Sequence, residues 1–343
     1  MRTSPIGTMS RTAVLAASVI FAAAQPAGAW GALGHRLVSH VAAEKLPASL
    51  PAFVRSAAAV AEIGALGPEA DRLKGSGESW DADEDHGHFI DIGDDGMVAG
   101  IVAIDALPPT REAYDTLLRS AGTDQYRVGY LPYEILDGYE QVVTDFAYWR
   151  VDRVGERSAA TDADKRFYHV DRLLRETLTV RDIGYWSHFV GDASQPLHIS
   201  VHYNGWGNYP NPNGYSESHT IHARFETALV DAVATDERVA ATVGDYMPSA
   251  TPVRLRIAAY LRASLAGVPR VYQLEGAGAI DAASPDAATF VIARLAAGAT
   301  MLRDLTADAW TASEGSSVGY PAIRVSEVES GTVLLTQAAL TGH

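Results

Sequence analysis

The chain has 343 residues, 47% hydrophobic and 20% charged, with a formal net charge of −15 and no cysteine. That length and apolar content suit a globular protein of one large domain or two ordinary ones with a sizeable core. The missing thiols exclude disulfides and thiolate catalysis, and the acidity argues against a tight, sequence-independent duplex binder, which needs a basic stripe to displace counterions from phosphates.

Taken in chain order, Arg2 and Arg11 precede the apolar run "TAVLAASVIFAAA", and small residues follow at Ala27 to Ala29. This pattern predicts a secretory signal peptide over 1–29, cleaved before Trp30, whether translation starts at Met1 or Met9. No later run is apolar for long enough to span a bilayer, so the expected location is the periplasm or the medium. Apolar positions recur at helical spacing over 34–46, 133–151, 167–193 and 288–310. Gly, Asn, Pro and acidic clusters mark loops at 75–87 and 203–216, and alternating strand patterns are sparse. With no repeat and no linker, the expectation is an all-α (mainly α) single helical domain over 30–320, followed by a peripheral tail over 321–343.

The segment "HFVGDASQPLH" (188–198) carries the first chemical signal. On a helix, His188 and Asp192 lie on one face, and His222 and Glu226 in "HARFE" repeat that spacing. One such pair is more often an ordinary surface hydrogen bond. Two pairs in apolar surroundings weaken that reading, because buried charge must be paired or coordinated. Imidazole and carboxylate ligands without thiolate suit zinc, and less specifically manganese or iron. Cleavage before Trp30 would expose "WGALGH", whose free amino group and Trp30 carbonyl can form a five-membered chelate completed by His35. The plain alternative makes Trp30 a core anchor and His35 a residue of a helix N-terminus.

The motifs "WGALGH", "EADRL", "HGHFIDI", "HFVGDASQPLH" and "HARFE", in this order from Trp30 to Glu226, resemble the zinc-dependent superfamily of S-one/P-one type nucleases and bacterial phospholipases C. The resemblance implies a mainly α domain with three Zn2+ ions in a cleft. By motif, Asp71, His88, His188 and a shared Asp192 would hold one zinc. Trp30, His35 and the other oxygen of Asp192 would hold its close neighbour, and His198, His222 and Glu226 the third. Asp192 is then the least replaceable ligand, Asp71 is ligand, base or both, and Asp91 either orients His88 or is simply solvated. His86, His202 and His219 are expected outside the ligand set.

The substrate signal is divided. The spacing from Trp30 to His35 is nuclease-like, whereas Glu226 and its helix look more like the phospholipase version. In the 202–220 loop, Tyr203, Trp206, Tyr209 and Tyr215 can stack nucleobases, enclose a choline head group, anchor at a lipid interface, or merely pack on one another. The leading expectation is hydrolysis of single-stranded DNA or RNA to 5′-nucleotides, of the endonuclease and 3′-nucleotidase type. Phospholipase C is the alternative, and a non-catalytic zinc-stabilised binding protein is the reading from a different class. No obligate protein partner is expected.

Overall fold

The computed structural model describes residues 30–341, so the expected signal peptide lies outside the described residues. Six helices carry the architecture: α1 (Ala32–Glu44), α2 (Ala57–Leu66), α3 (Leu131–Ser158), α4 (Asp162–Asp192), α5 (Val253–Leu265) and α6 (Pro285–Ser313). Their starts have local causes. The Thr161 hydroxyl accepts from the Asp164 amide and Asp162 follows in the first turn of α4, while Ser284 does the same for Ala287 with Pro285 opening α6.

Only residues 159–161 separate α3 from α4, and so short a connection makes the two helices antiparallel neighbours. Their approach is close because two glycines face two large rings. A methyl group at Gly138 would overlap the Trp186 indole, and one at Gly155 would overlap the Tyr168 ring. α1 packs against α2, α4 and α6. A continuous apolar core with Trp30, Val38, Phe146, Ile183 and Leu295 fills the space between these helices.

Among the described residues, strands are confined to two small antiparallel hairpins, Met97–Val98 with Val102–Ala103 and Ser317–Val318 with Ile323–Arg324. Beyond Pro321, Val325 and Val328 bury against Ala147 and Val151 of α3. No helix among the described residues is long and apolar enough to cross a membrane. The molecule is thus mainly helical, and the C-terminal turns of α4 end in its interior.

Candidate metal centre

His188 and Asp192 stand one turn apart at the end of α4, both fully buried. Oδ1 of Asp192 faces Nε2 of His35 on α1 at 3.4 Å, while Oδ2 faces Nδ1 of His88 at 3.0 Å and Nε2 of His188 at 3.4 Å. Asp71, on the short turn Ala70–Leu73, closes the group with Oδ1 at 3.4 Å from His188 and 4.0 Å from His88. The His35 and His188 rings stack at 3.7 Å.

A second group lies beside the first. Gln195 ends the α4 turn by accepting from the Leu197 amide, which turns the chain so that His198 points back inward. Nε2 of His198 lies 3.1 Å from Nε2 of His222, and Glu226 Oε2 lies 2.8 Å from His222 and 3.6 Å from His198. Glu226 sits in a π-helical stretch, Arg224–Leu229, entered from the α-turn Ile221–Ala223. Such wide turns are frequent at functional sites. Its backbone carbonyl accepts from Gly31, where a side chain would strike Thr227.

Backbone carbonyls fix the rings. Nδ1 of His188 donates to Gly67 at 2.8 Å, that of His198 to His88 at 2.7 Å, and that of His222 to Tyr203 at 2.8 Å. A carbonyl can only accept, so in the neutral ring each Nε2 is left bare and aimed into the cluster, the tautomer a metal needs. Burial holds His35 and His88 well below the ordinary histidine range and lowers His198 as well. At His222 burial acts downward too, but the Glu226 carboxylate outweighs it and the net shift is upward. Burial drives Asp192 well above the carboxylate range, whereas Asp71 is held below it because the His188 hydrogen bond and the charges around it override burial.

The polar atoms of the cluster are incompletely matched. No hydrogen bond satisfies either ring nitrogen of His35 or Oδ1 of Asp192. Leaving such atoms buried and unpaired is costly, and a cation would satisfy them. Among the described residues, three groups have donors close enough to hold a metal ion: His35, His188 and Asp192; Asp71, His88 and His188; His198, His222 and Glu226. Nitrogen and carboxylate donors of this kind fit a divalent transition-metal ion.

The side chain of Trp30 is a core anchor in this arrangement. Its fully buried indole donates to Gly191 at 3.0 Å and Ser194 Oγ at 2.8 Å, so the start of α1 is pinned beside the end of α4. Asp91 makes no hydrogen bond to His88; it lines the adjoining cavity, where burial pushes its carboxyl up to about 7. Lys74 was not foreseen. Its ammonium lies 2.6 Å from Asp71 Oδ1, in the cavity wall. Within the aromatic loop, Trp206 stacks on His202 at 3.6 Å and packs on Tyr215 and Tyr272, while Tyr203 and Tyr209 stay exposed. His202 and His219 hydrogen-bond within this loop region, and His86 packs edge-on to Tyr126.

The cavity over the cluster measures about 370 Å³ and is lined by Lys74, Asp85, His88, Phe89, Asp91, Arg127, Leu197, His198, Tyr203 and His222. Both histidine groups therefore reach one solvent-connected space. No protein-family model, curated protein or solved structure matches the chain.

Proposed function

We propose that this chain is an exported zinc-dependent phosphodiesterase of the S-one/P-one nuclease type, cleaving single-stranded DNA or RNA to 5′-nucleotides. The observation that carries the reading is Asp192, whose two oxygens address different histidines, Oδ1 towards His35 and Oδ2 towards His88 and His188. A structural zinc site is closed by four protein ligands and needs no such division. The proposed ligand sets are those implied by the motifs, with Trp30, His35 and Asp192 beside Asp71, His88 and His188, and with His198, His222 and Glu226 apart.

Zinc bound there supplies a water acidified from 15.7 toward about 7 and a charge that stabilises phosphoryl oxygens. The chain's own part is to bind and orient. Lys74 presents an ammonium from the cavity wall to an incoming phosphate while holding the Asp71 carboxylate in place. Phe89 offers a ring face and Asp91 a carboxyl in the same space, which suits a planar base that stacks and hydrogen-bonds along its edge. Two cations, Lys74 and Arg127, line this cavity. They suit a substrate with phosphate on either side of a neutral base.

The test is a parallel assay of zinc-loaded protein beginning at Trp30 on single-stranded DNA, RNA and phosphatidylcholine vesicles, with a chelator control. Chelator-sensitive release of 5′-mononucleotides is expected. Diacylglycerol release without nucleotide release would overturn the nuclease reading in favour of phospholipase C, and inactivity on all three would leave a metal-stabilised binding protein.

A further inference from the structure

Arg127 is the second cation of the cavity and differs from the first. Lys74 is tied to Asp71 at 2.6 Å, whereas no hydrogen bond, ion pair or ring contact engages the Arg127 guanidinium among the described residues. Asp85 and Asp91 line the same cavity, yet neither pairs with it. Its mount is firm. The short helix Gln125–Val128 is held by the Gln125 amide on Asp115 at 3.1 Å and by Arg111 on the Gln125 side chain at 2.7 Å. The Val128 carbonyl takes the Asp91 amide at 2.8 Å. Next in the chain, Gly129 has φ +78°, and a side chain there would run into the Phe89 carbonyl. Arg127 is thus fixed to the strand-like segment that carries Phe89 and Asp91, with its charge left unspent on the protein.

We infer that Arg127 binds a second substrate phosphate, the one next to the scissile phosphate along the chain; this rests on the nuclease reading above. A nucleoside whose base lies against Phe89 and Asp91 carries the scissile phosphate on one sugar oxygen, facing the histidine groups. The phosphate on its other sugar oxygen then meets the wall that presents Arg127. A guanidinium suits that task because its planar fork can grip two phosphate oxygens at once. The site therefore selects a nucleotide that is phosphorylated on both sides of its sugar over one phosphorylated only at the bond to be cut.

The experiment compares two dinucleoside monophosphates that differ only in a 5′-terminal phosphate, using zinc-loaded wild-type protein, Arg127→Ala and Arg127→Lys. Wild type is expected to show the lower KM for the phosphorylated form. Arg127→Ala should raise that KM roughly tenfold more than it raises the KM for the unphosphorylated form, the scale of one charge-assisted hydrogen bond, with kcat moving little. Arg127→Lys should restore part of the difference, since it keeps the charge and loses the fork. If wild type cleaves both but Arg127→Ala affects them equally, or affects neither, the inference falls alone. If wild type cleaves neither, the nuclease reading falls with it.

Discussion

Asp192 is fully buried, and its two oxygens face different histidines of the cluster, which under the proposed function makes it the least replaceable ligand. Replacing it by Asn preserves volume but turns one oxygen into an N–H donor and removes the negative charge, so one of the two directions it serves loses its ligand. Without metal the native carboxyl is itself pushed far up by burial, so a neutral amide should not unfold the core. Asp192→Asn is therefore expected to keep its circular dichroism while losing at least one bound zinc per chain. Its turnover should drop by more than the roughly 10–100-fold typical of outer-shell changes. Full zinc content with undiminished turnover would remove the bridging role. The pairing of His188 with Asp192 and of His222 with Glu226 could be read from the sequence because that spacing is local. Lys74 could not, since its contact with Asp71 depends on a tight turn with no periodic signature. Nor could the fate of Trp206, whose ring turns inward because Tyr272, far along the chain, is there to receive it.

The long helices were legible for the same reason that they are stable. The periodic stretches 133–151 and 288–310 fall inside α3 and α6, and 167–193 follows α4 to one residue past its end. α2 escaped because "AAAVAEIGAL" is apolar nearly all round, and α5 because it opens as "VRLRI", an alternation that mimics a strand. Periodicity also could not show what lies between α3 and α4. Asp145 and Asp152 of α3 are both fully buried; Oδ2 of the first and both oxygens of the second have no hydrogen-bond partner. From α4, Asp182 faces Asp145, Asp171 faces Asp152, and the charges of Arg175 act on both and that of Arg172 on Asp152. Burial first, and the facing carboxylates second, push Asp145 up to about 7 and Asp152 up to about 8. Raised carboxyl groups contribute stability that is full below the ordinary carboxylate range and is lost progressively as pH climbs from about 4 through 7 to 8. Asp152→Asn fixes the neutral form, so the difference between its melting temperature and that of wild type is expected to be near zero below about pH 4, where the carboxyl is protonated in the folded and unfolded chain alike. By pH 9 it should have risen by on the order of 2–4 °C. A difference that stays flat with pH would show that this carboxyl does not titrate in the helix seam.

At the scale of the molecule, a chain without cysteine ties distant segments together through its core, its long-range hydrogen bonds and ion pairs, and, under the proposed function, its metal donors. The donors come from α1, the turns at 70–73, 85–88 and 196–199, the end of α4, and the 221–229 segment, whereas α6 supplies none. Metal binding to the folded state alone adds stability by mass action, about 4.1 kcal/mol per site when free metal is 1,000 times its dissociation constant. Chelation is therefore expected to lower the melting temperature, and the fall should shrink as zinc is restored. The loosening should also be uneven. α1 is held to α4 through His35 and Asp192, and the 221–229 segment through His222 and Glu226, while α3 and α6 pack through apolar side chains that need no ion. Amide exchange after chelation should accelerate first in 32–44 and 221–229 and last in 285–313. If all three exchange alike, the cations do not cross-link the fold, and the buried histidines and carboxylates would need another source of stabilisation.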